Sequence, residues 1–97
     1  MKKEKLTLFA GPASKDLGSQ IARYLNEPLG FIQVGAFSDG ETSIEVSQNI
    51  RGMDVFLVQS TYQPGNEHLM QLLLMADACK RASAHSVSAV IPYFGYS

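Results

Sequence analysis

The sequence predicts an α/β protein in three layers, αβα, built on a mostly parallel sheet from which one β-hairpin protrudes. Three observations carry that reading. Strand-like runs alternate with helical patterns, at 6–10 before a helix over 14–26 and at 55–58 before a helix starting near 66, the arrangement of parallel strands joined by right-handed crossovers. Val55-Phe-Leu-Val58 is a continuous β-branched and aromatic run, as in a strand covered on both faces. Asp39-Gly40 lies between two short strand patterns, which is a strong hairpin signal.

Leu6-Thr-Leu-Phe-Ala10 is a short strand ended by Gly11-Pro12. Ser14 stands as the N-cap of a helix that stacks Leu17, Ile21 and Leu25 at i, i+4 spacing and runs to about Asn26, because Pro28 forbids continuation. Residues 31–37 form a second strand, and 41–47 alternate polar Glu41, Ser43 and Glu45 with apolar Ile44 and Val46, the period of a strand buried on one face. A loop over 59–65 follows the run at 55–58. Asn66 then caps a helix with Leu69, Leu72, Leu73, Ala76 and Cys79 on one face, widened by Met70, Leu74 and Met75 as packing residues. Asp77 and Arg81, four residues apart, support its exposed side by about a few tenths of a kcal/mol. Residues 87–94 form another buried strand with Pro92 near its end, and it delivers 93–97 to the edge beyond the strands' carboxyl ends, where ligands sit in such sheets. A functional loop is expected to begin there, so the chain reads as part of an active-site scaffold, and an uncovered edge at 87–94 is expected to drive self-association.

Ninety-seven residues allow one domain. With 8 basic and 9 acidic side chains and a net charge of -1, charge announces no partner class. Lys2, Lys3 and Lys5 surround Glu4 and read as a solvated start rather than a phosphate-tracking patch, so neither nucleic acid nor membrane is an expected partner. The single cysteine, Cys79, excludes an internal disulfide and reads as a core thiol of a reduced, cytoplasmic protein. The apolar run after the basic N-terminus is too short for a signal-peptide core, and no run approaches a membrane span.

Two familiar phosphate cradles, G-x-x-x-x-G-K-[ST] and G-x-G-x-x-G after the first strand, are absent from the sequence. Gly11-Pro-Ala-Ser14 could present a helix start to an anion, but it reads first as a plain capping turn. His68 and His85 lack a second ligand at metal spacing and read as structural. Asp54, after Arg51-Gly52, reads as turn chemistry. The stretch Gly35-Ala-Phe-Ser-Asp-Gly-Glu-Thr42 stays open between two readings. Either Ser38 to Glu41 closes a hairpin with Phe37 packed beneath, or the hairpin presents a flat apolar ring and two carboxylates, Asp39 and Glu41, to a purine base and its exocyclic amine.

Taken together, Phe9-Ala-Gly11, Phe37-Ser-Asp-Gly-Glu41, Ile50-Arg-Gly-Met-Asp54, Gln59-Ser-Thr61, Asn66-Glu-His-Leu-Met70, Ala82-Ser-Ala84 and Ala89-Val-Ile-Pro-Tyr-Phe-Gly-Tyr96 resemble ribose-phosphate diphosphokinase, the phosphoribosyl pyrophosphate synthetase family. The resemblance covers essentially the whole chain but only that family's N-terminal domain, whose fold is phosphoribosyltransferase-like. It implies transfer of the β,γ-diphosphoryl group of ATP to the 1-hydroxyl of ribose 5-phosphate, with Mg²⁺, giving AMP and the activated ribose used for nucleotide biosynthesis. It also implies homo-oligomeric subunits paired through this domain, with Phe37, Asp39 and Glu41 donated to a neighbouring subunit's ATP site. Arg51 and Ser83 match positions that bind a regulatory phosphate or nucleotide. No catalytic residue and no metal ligand is implied within 1–97, because the ATP-clamping, metal-binding and ribose-phosphate loops come later in the family. The chain departs from the family pattern at Ala36, where a basic residue is usual, at Ser86, where Arg is common, and at Gln71, where an acid is usual. Two readings follow. One is the N-terminal part of a synthetase, inactive alone; the alternative is a short accessory or regulatory subunit that associates with a full-length synthetase.

Overall fold

The computed structural model describes residues 6–30, 32–36, 42–61 and 65–92. Strand β1 (Leu6–Ala10) leads through a 3-10 turn (Pro12–Ser14) into helix α1 (Lys15–Leu25). β2 (Ile32–Ala36) and β3 (Thr42–Val46) follow, and β4 (Asp54–Val58), α2 (Gly65–Arg81) and β5 (Ser86–Val90) complete the order. β1, β4 and β5 form one parallel sheet in the order β1-β4-β5, and β2 and β3 pair antiparallel as a separate hairpin. The mostly parallel αβα arrangement with a protruding hairpin is therefore the fold that the alternating pattern predicts.

Strand alternation divides the core in two. On one face of the sheet Phe9, Val55 and Leu57 meet Leu72, Met75 and Cys79 of α2 together with Ile32 of the hairpin. On the other, Leu8 and Val58 meet Ala22 of α1, with Leu17, Ile21 and Phe56 beside them. β4, paired on both edges and packed on both faces, supplies Val55, Leu57 and Val58 with no measurable exposure, as its unbroken apolar run requires. α1 can lie this close to β1 because Gly18 lacks a side chain: a Cβ there would fall 2.4 Å from the Cβ of Ala10.

Both helices end in the same way. Asn26 takes φ 58° after α1, and Ser83 takes φ 69° after α2. In each case paired backbone bonds close the last turn: Asn26 N–H to Arg23 O and Glu27 N–H to Ala22 O, then Ser83 N–H to Lys80 O and Ala84 N–H to Cys79 O. This is the left-handed cap that glycine usually occupies.

Several expectations are corrected. Leu25 is 48% exposed, because Gly18 and Ala22, not Leu25, continue the buried stripe of α1. In α2 the inward stripe runs through Gln71, Leu72, Met75 and Cys79, whereas Leu73 is 55% and Met70 52% exposed; one residue past Leu72 the helix has turned by about 100°. α2 starts at Gly65, so Asn66 lies inside its first turn rather than ahead of it. The strand expected at 87–94 is β5, and it is not buried: only Val87 is partly covered, since α2 reaches it on one face while α1 sits over β1 and β4 on the other. Residues 93–94 lie outside the described residues.

Candidate functional site

The hairpin stands on α2 rather than in the sheet. Ile32 is buried, and Val34, Ile44 and Val46 pack around it against the α2 core, while Gln33 and Glu45 face outward as a cross-strand pair. The last described pair is Ala36 with Thr42. Phe37, Asp39 and Glu41 therefore belong to the connection that this pair closes; they and the Asp39-Gly40 turn lie outside the described residues. A cavity of about 380 Å³ opens beside the hairpin, with Lys15 of α1 on one side and Gln33, Gly35, Ser43 and Glu45 on the other.

At the carboxyl ends of β1 and β4, Gln59 forms a clamp that sequence patterns do not show. It has no measurable exposure. Its Oε1 accepts the Ala13 N–H at 3.0 Å, and its Nε2 donates to Gln71 Oε1 at 2.9 Å and to the His68 carbonyl at 3.3 Å. Gly11 makes room for it, since a Cβ there would lie 2.1 Å from the Gln59 Oε1. Ser14 occupies the N-cap position of α1 but makes no capping bond; its Oγ accepts the Ser60 N–H at 2.9 Å instead. Of the two readings of Gly11-Pro-Ala-Ser14, the structural one is thus favoured: the amide and hydroxyl that an anion would use are engaged by Gln59 and Ser60. Gln71, where the resembled family usually has an acid, is the neutral partner of this clamp. Local periodicity could not have revealed it, because the partners are 46 and 12 residues apart.

The opposite end of the sheet brings Arg51 and Ser83 onto touching turns. Gly52 N–H donates to Ser83 O at 2.9 Å, and Arg51 N–H donates to Asn49 Oδ1 at 3.1 Å. Asp54 does more than close a turn. Its Oδ1 takes the Ser86 hydroxyl at 2.7 Å and meets His85 Nδ1 at 2.8 Å, tying the starts of β4 and β5. The hydrogen bond from His85, then that from Ser86, holds the Asp54 carboxyl below its ordinary value. A cavity of about 310 Å³ beside this junction is lined by Lys80, Ala84, His85, Ser86 and Val87. Cys79 is buried in the core, and burial pushes its thiol up to about 11, far from a reactive thiolate.

Among the described residues no three His, Cys, Asp or Glu side chains gather as a metal site requires. None of the described helices is long and apolar enough to cross a membrane.

Comparison with known proteins gives this arrangement its context. A ribose-phosphate pyrophosphokinase of Marinomonas sp. (strain MWYL1) is 52% identical over 93 residues, 96% of this chain and 30% of that protein. The chloroplastic ribose-phosphate pyrophosphokinase 1 of Oryza sativa subsp. japonica is also 52% identical over 93 residues, 24% of its own length. The crystal structure of phosphoribosylpyrophosphate synthetase from Mycobacterium smegmatis superposes with a TM-score of 0.86 at 37% identity, covering 92% of this chain and 30% of that one. The chain thus spans less than a third of the length of these relatives. Residues 6–97 match the family described as the N-terminal domain of ribose phosphate pyrophosphokinase, and the chain belongs to that family.

Proposed function

We propose that this chain serves as the part of a ribose-phosphate pyrophosphokinase that pairs subunits and completes an ATP site, in the transfer of the diphosphoryl group of ATP to ribose 5-phosphate. The observation that carries this reading is the hairpin: it is held by packing on α2, outside the sheet's hydrogen bonding, and closes on the segment that holds Phe37, Asp39 and Glu41. A ring that stacks and carboxylates that accept an exocyclic amine suit adenine. The role is one of positioning, which phosphoryl-transfer sites depend on in place of covalent chemistry. Mg²⁺ accompanies the nucleotide in that reaction, and none of the described residues is assigned to it.

Arg51 and Ser83 are the proposed regulatory phosphate or nucleotide contacts. Support comes from the backbone. Ser83 is held at φ 69°, where glycine would be relaxed, and a side chain kept at such cost is a reason to assign it a task.

The test is a pair of assays. Alone with ATP, Mg²⁺ and ribose 5-phosphate, the 97-residue chain is expected to form neither AMP nor phosphoribosyl pyrophosphate; product formation in proportion to protein would show that the remaining two-thirds of the relatives is dispensable. Mixed with the active Marinomonas enzyme, the chain is expected to alter its ATP dependence, and Phe37→Ala, or Asp39→Ala with Glu41→Ala, to abolish that change. An unchanged effect in these variants would remove the hairpin from the site. The second reading, an accessory subunit, requires stable co-purification with the full-length enzyme.

A further inference from the structure

We infer that the cavity between Lys15 and the outward face of the hairpin is a binding site for a small zwitterion, an α-amino acid whose carboxylate meets Lys15 and whose ammonium meets Glu45. The inference is independent of the ATP-site reading, since it uses none of Phe37, Asp39 and Glu41.

The register of the hairpin builds the floor of this cavity. The pairs Ile32–Val46 and Val34–Ile44 lie on the face packed into the core, so alternation gives the other face to Gln33–Glu45 and Gly35–Ser43. These four residues, with Lys15 of α1 opposite, line the cavity of about 380 Å³. That volume lies in the range of about 300–1,000 Å³ usual for small-molecule sites. Ile32 and Val34 also line it; with their side chains turned to the core, they offer it the backbone of β2.

Gly35 is the observation that points to a ligand. A glycine inside a strand costs about 0.5–1 kcal/mol relative to alanine, and here neither conformation nor packing requires it. Among the described residues the glycine with positive φ is Gly52. A Cβ at Gly11, Gly18 or Gly30 would fall within 2.1, 2.4 or 2.7 Å of a neighbouring atom, whereas one at Gly35 would meet a single atom, Ser43 Oγ at 3.3 Å. A strand glycine without an internal reason marks a place where something approaches the backbone closely. What Gly35 faces is the cavity.

Charge sets the class of ligand. Lys15 and Glu45 are the ionisable groups among the described residues that line the cavity. They stand on opposite walls and do not close on each other; the ion pairs among the described residues are Arg81–Asp77 and His85–Asp54. One cation and one anion held apart, with the Gln33 amide and the Ser43 hydroxyl beside them, suit a molecule that is neutral overall and carries one charge of each sign. A polyphosphate would set its own charge against Glu45. The α-amino acid is the compact molecule that carries both charges, and it fits a cavity at the small end of the range.

The test is titration of the isotope-labelled 97-residue chain with each of the standard L-α-amino acids, followed through backbone amide shifts. At least one is expected to give saturable shifts at Gly35 and Ser43, with Kd of about 1 mM or below, while Val55 in the sheet interior stays still. Lys15→Gln and Glu45→Gln are each expected to raise that Kd about tenfold. Sodium acetate and methylammonium chloride, each with half of the charge pattern, are expected to bind at least about tenfold more weakly than the amino acid. Gly35→Val puts a side chain on the floor and is expected to abolish the shift at Ser43; valine suits a strand, so the parent's circular dichroism is expected to persist. The inference is overturned if no amino acid moves Gly35 and Ser43, or if binding survives Gly35→Val. It is also overturned if acetate matches the amino acids or Glu45→Gln leaves the affinity unchanged, which would reduce the cavity to a contact of Lys15 with anions. If ATP moves these amides and amino acids do not, the cavity belongs to the nucleotide instead. Failure of the hairpin's ATP role, read by Phe37→Ala, would leave each of these outcomes as it stands.

Discussion

Replacing Gln59 by Leu tests the buried clamp, because it keeps the side-chain volume while removing every polar contact. Three hydrogen bonds are lost, to Ala13 N–H, Gln71 Oε1 and the His68 carbonyl. At about 1 kcal/mol net for each, the cost is about 3 kcal/mol, and more where a buried group finds no substitute. For a domain of this size that lowers the melting temperature by about 10–25 °C. Gln59→Glu separates hydrogen bonding from mere polarity. The introduced carboxyl still accepts from Ala13, but its second oxygen faces the carbonyl oxygens of His68 and Gln71, and burial raises its pKa in the folded state. A group whose folded pKa is raised contributes stability that is complete below its unfolded pKa and lost as pH rises through the folded one. The deficit of Gln59→Glu against the parent is therefore smallest near pH 4 and grows toward pH 8, as read by thermal and urea unfolding monitored by circular dichroism. A Gln59→Leu protein that melts within about 3 °C of the parent, or a Gln59→Glu deficit that is flat in pH, would refute the clamp.

Gly18→Ala, although it favours a helix by about 1 kcal/mol, is expected to destabilise by about 1–3 kcal/mol, because its Cβ meets Ala10 at 2.4 Å; urea midpoints at constant m-value measure it. Asp54→Asn removes a carboxylate whose folded pKa is depressed below 3.8. Such a group stabilises above its unfolded pKa, and that contribution disappears as pH falls through the folded one. Parent and variant should therefore differ at pH 6 and converge in melting temperature as pH falls below the ordinary carboxylate range. Ser83→Gly relieves a left-handed backbone and is expected to raise stability by about 0.5–1 kcal/mol, while weakening any phosphate effect assigned to Ser83; a fall in melting temperature would show that the serine side chain stabilises the turn more than its φ of 69° costs.

Local pattern was enough to place β1 and β4 and to choose the packed face of β3. β1 matches the stretch between the N-terminal charges and Gly11-Pro12, and β4 centres on the apolar run at 55–58. Alternation in β3 put Ile44 and Val46 on the packed face. What periodicity could not supply was the phase of each helix against a particular neighbour. Leu25 and Leu73 fit a helical stripe in isolation, but the contact of Gly18 with Ala10 and the hairpin's pressure on α2 set the rotation. Gln59, Gln71 and the Asp54–His85–Ser86 junction were illegible for a related reason: polar side chains in loops and on a helix become structural only when distant segments bring them together. Of the proposed site, Arg51 and Ser83 came from resemblance, and their adjacency depends on the pairing of β4 with β5. Phe37, Asp39 and Glu41 remain assigned by resemblance and by the hairpin that frames them.

The hairpin's separateness has a consequence for amide exchange. Among the described residues β2 and β3 bond to each other but to no strand of the main sheet, and the backbone links to β1 lie just before β2, at the Leu8–Leu29 bridge and from Gly30 N–H to Leu8 O. Opening the hairpin thus breaks its own ladder and its packing on the core shared by α2 and the sheet, while leaving the backbone bonds among β1, β4 and β5 in place. Protection should fall into two classes, with β4 amides exchanging only on global unfolding and β2–β3 amides exchanging through a cheaper, local event pivoting at Leu29–Gly30. The segment proposed to meet a nucleotide is thereby carried on the part of the molecule that can rearrange without unfolding the rest.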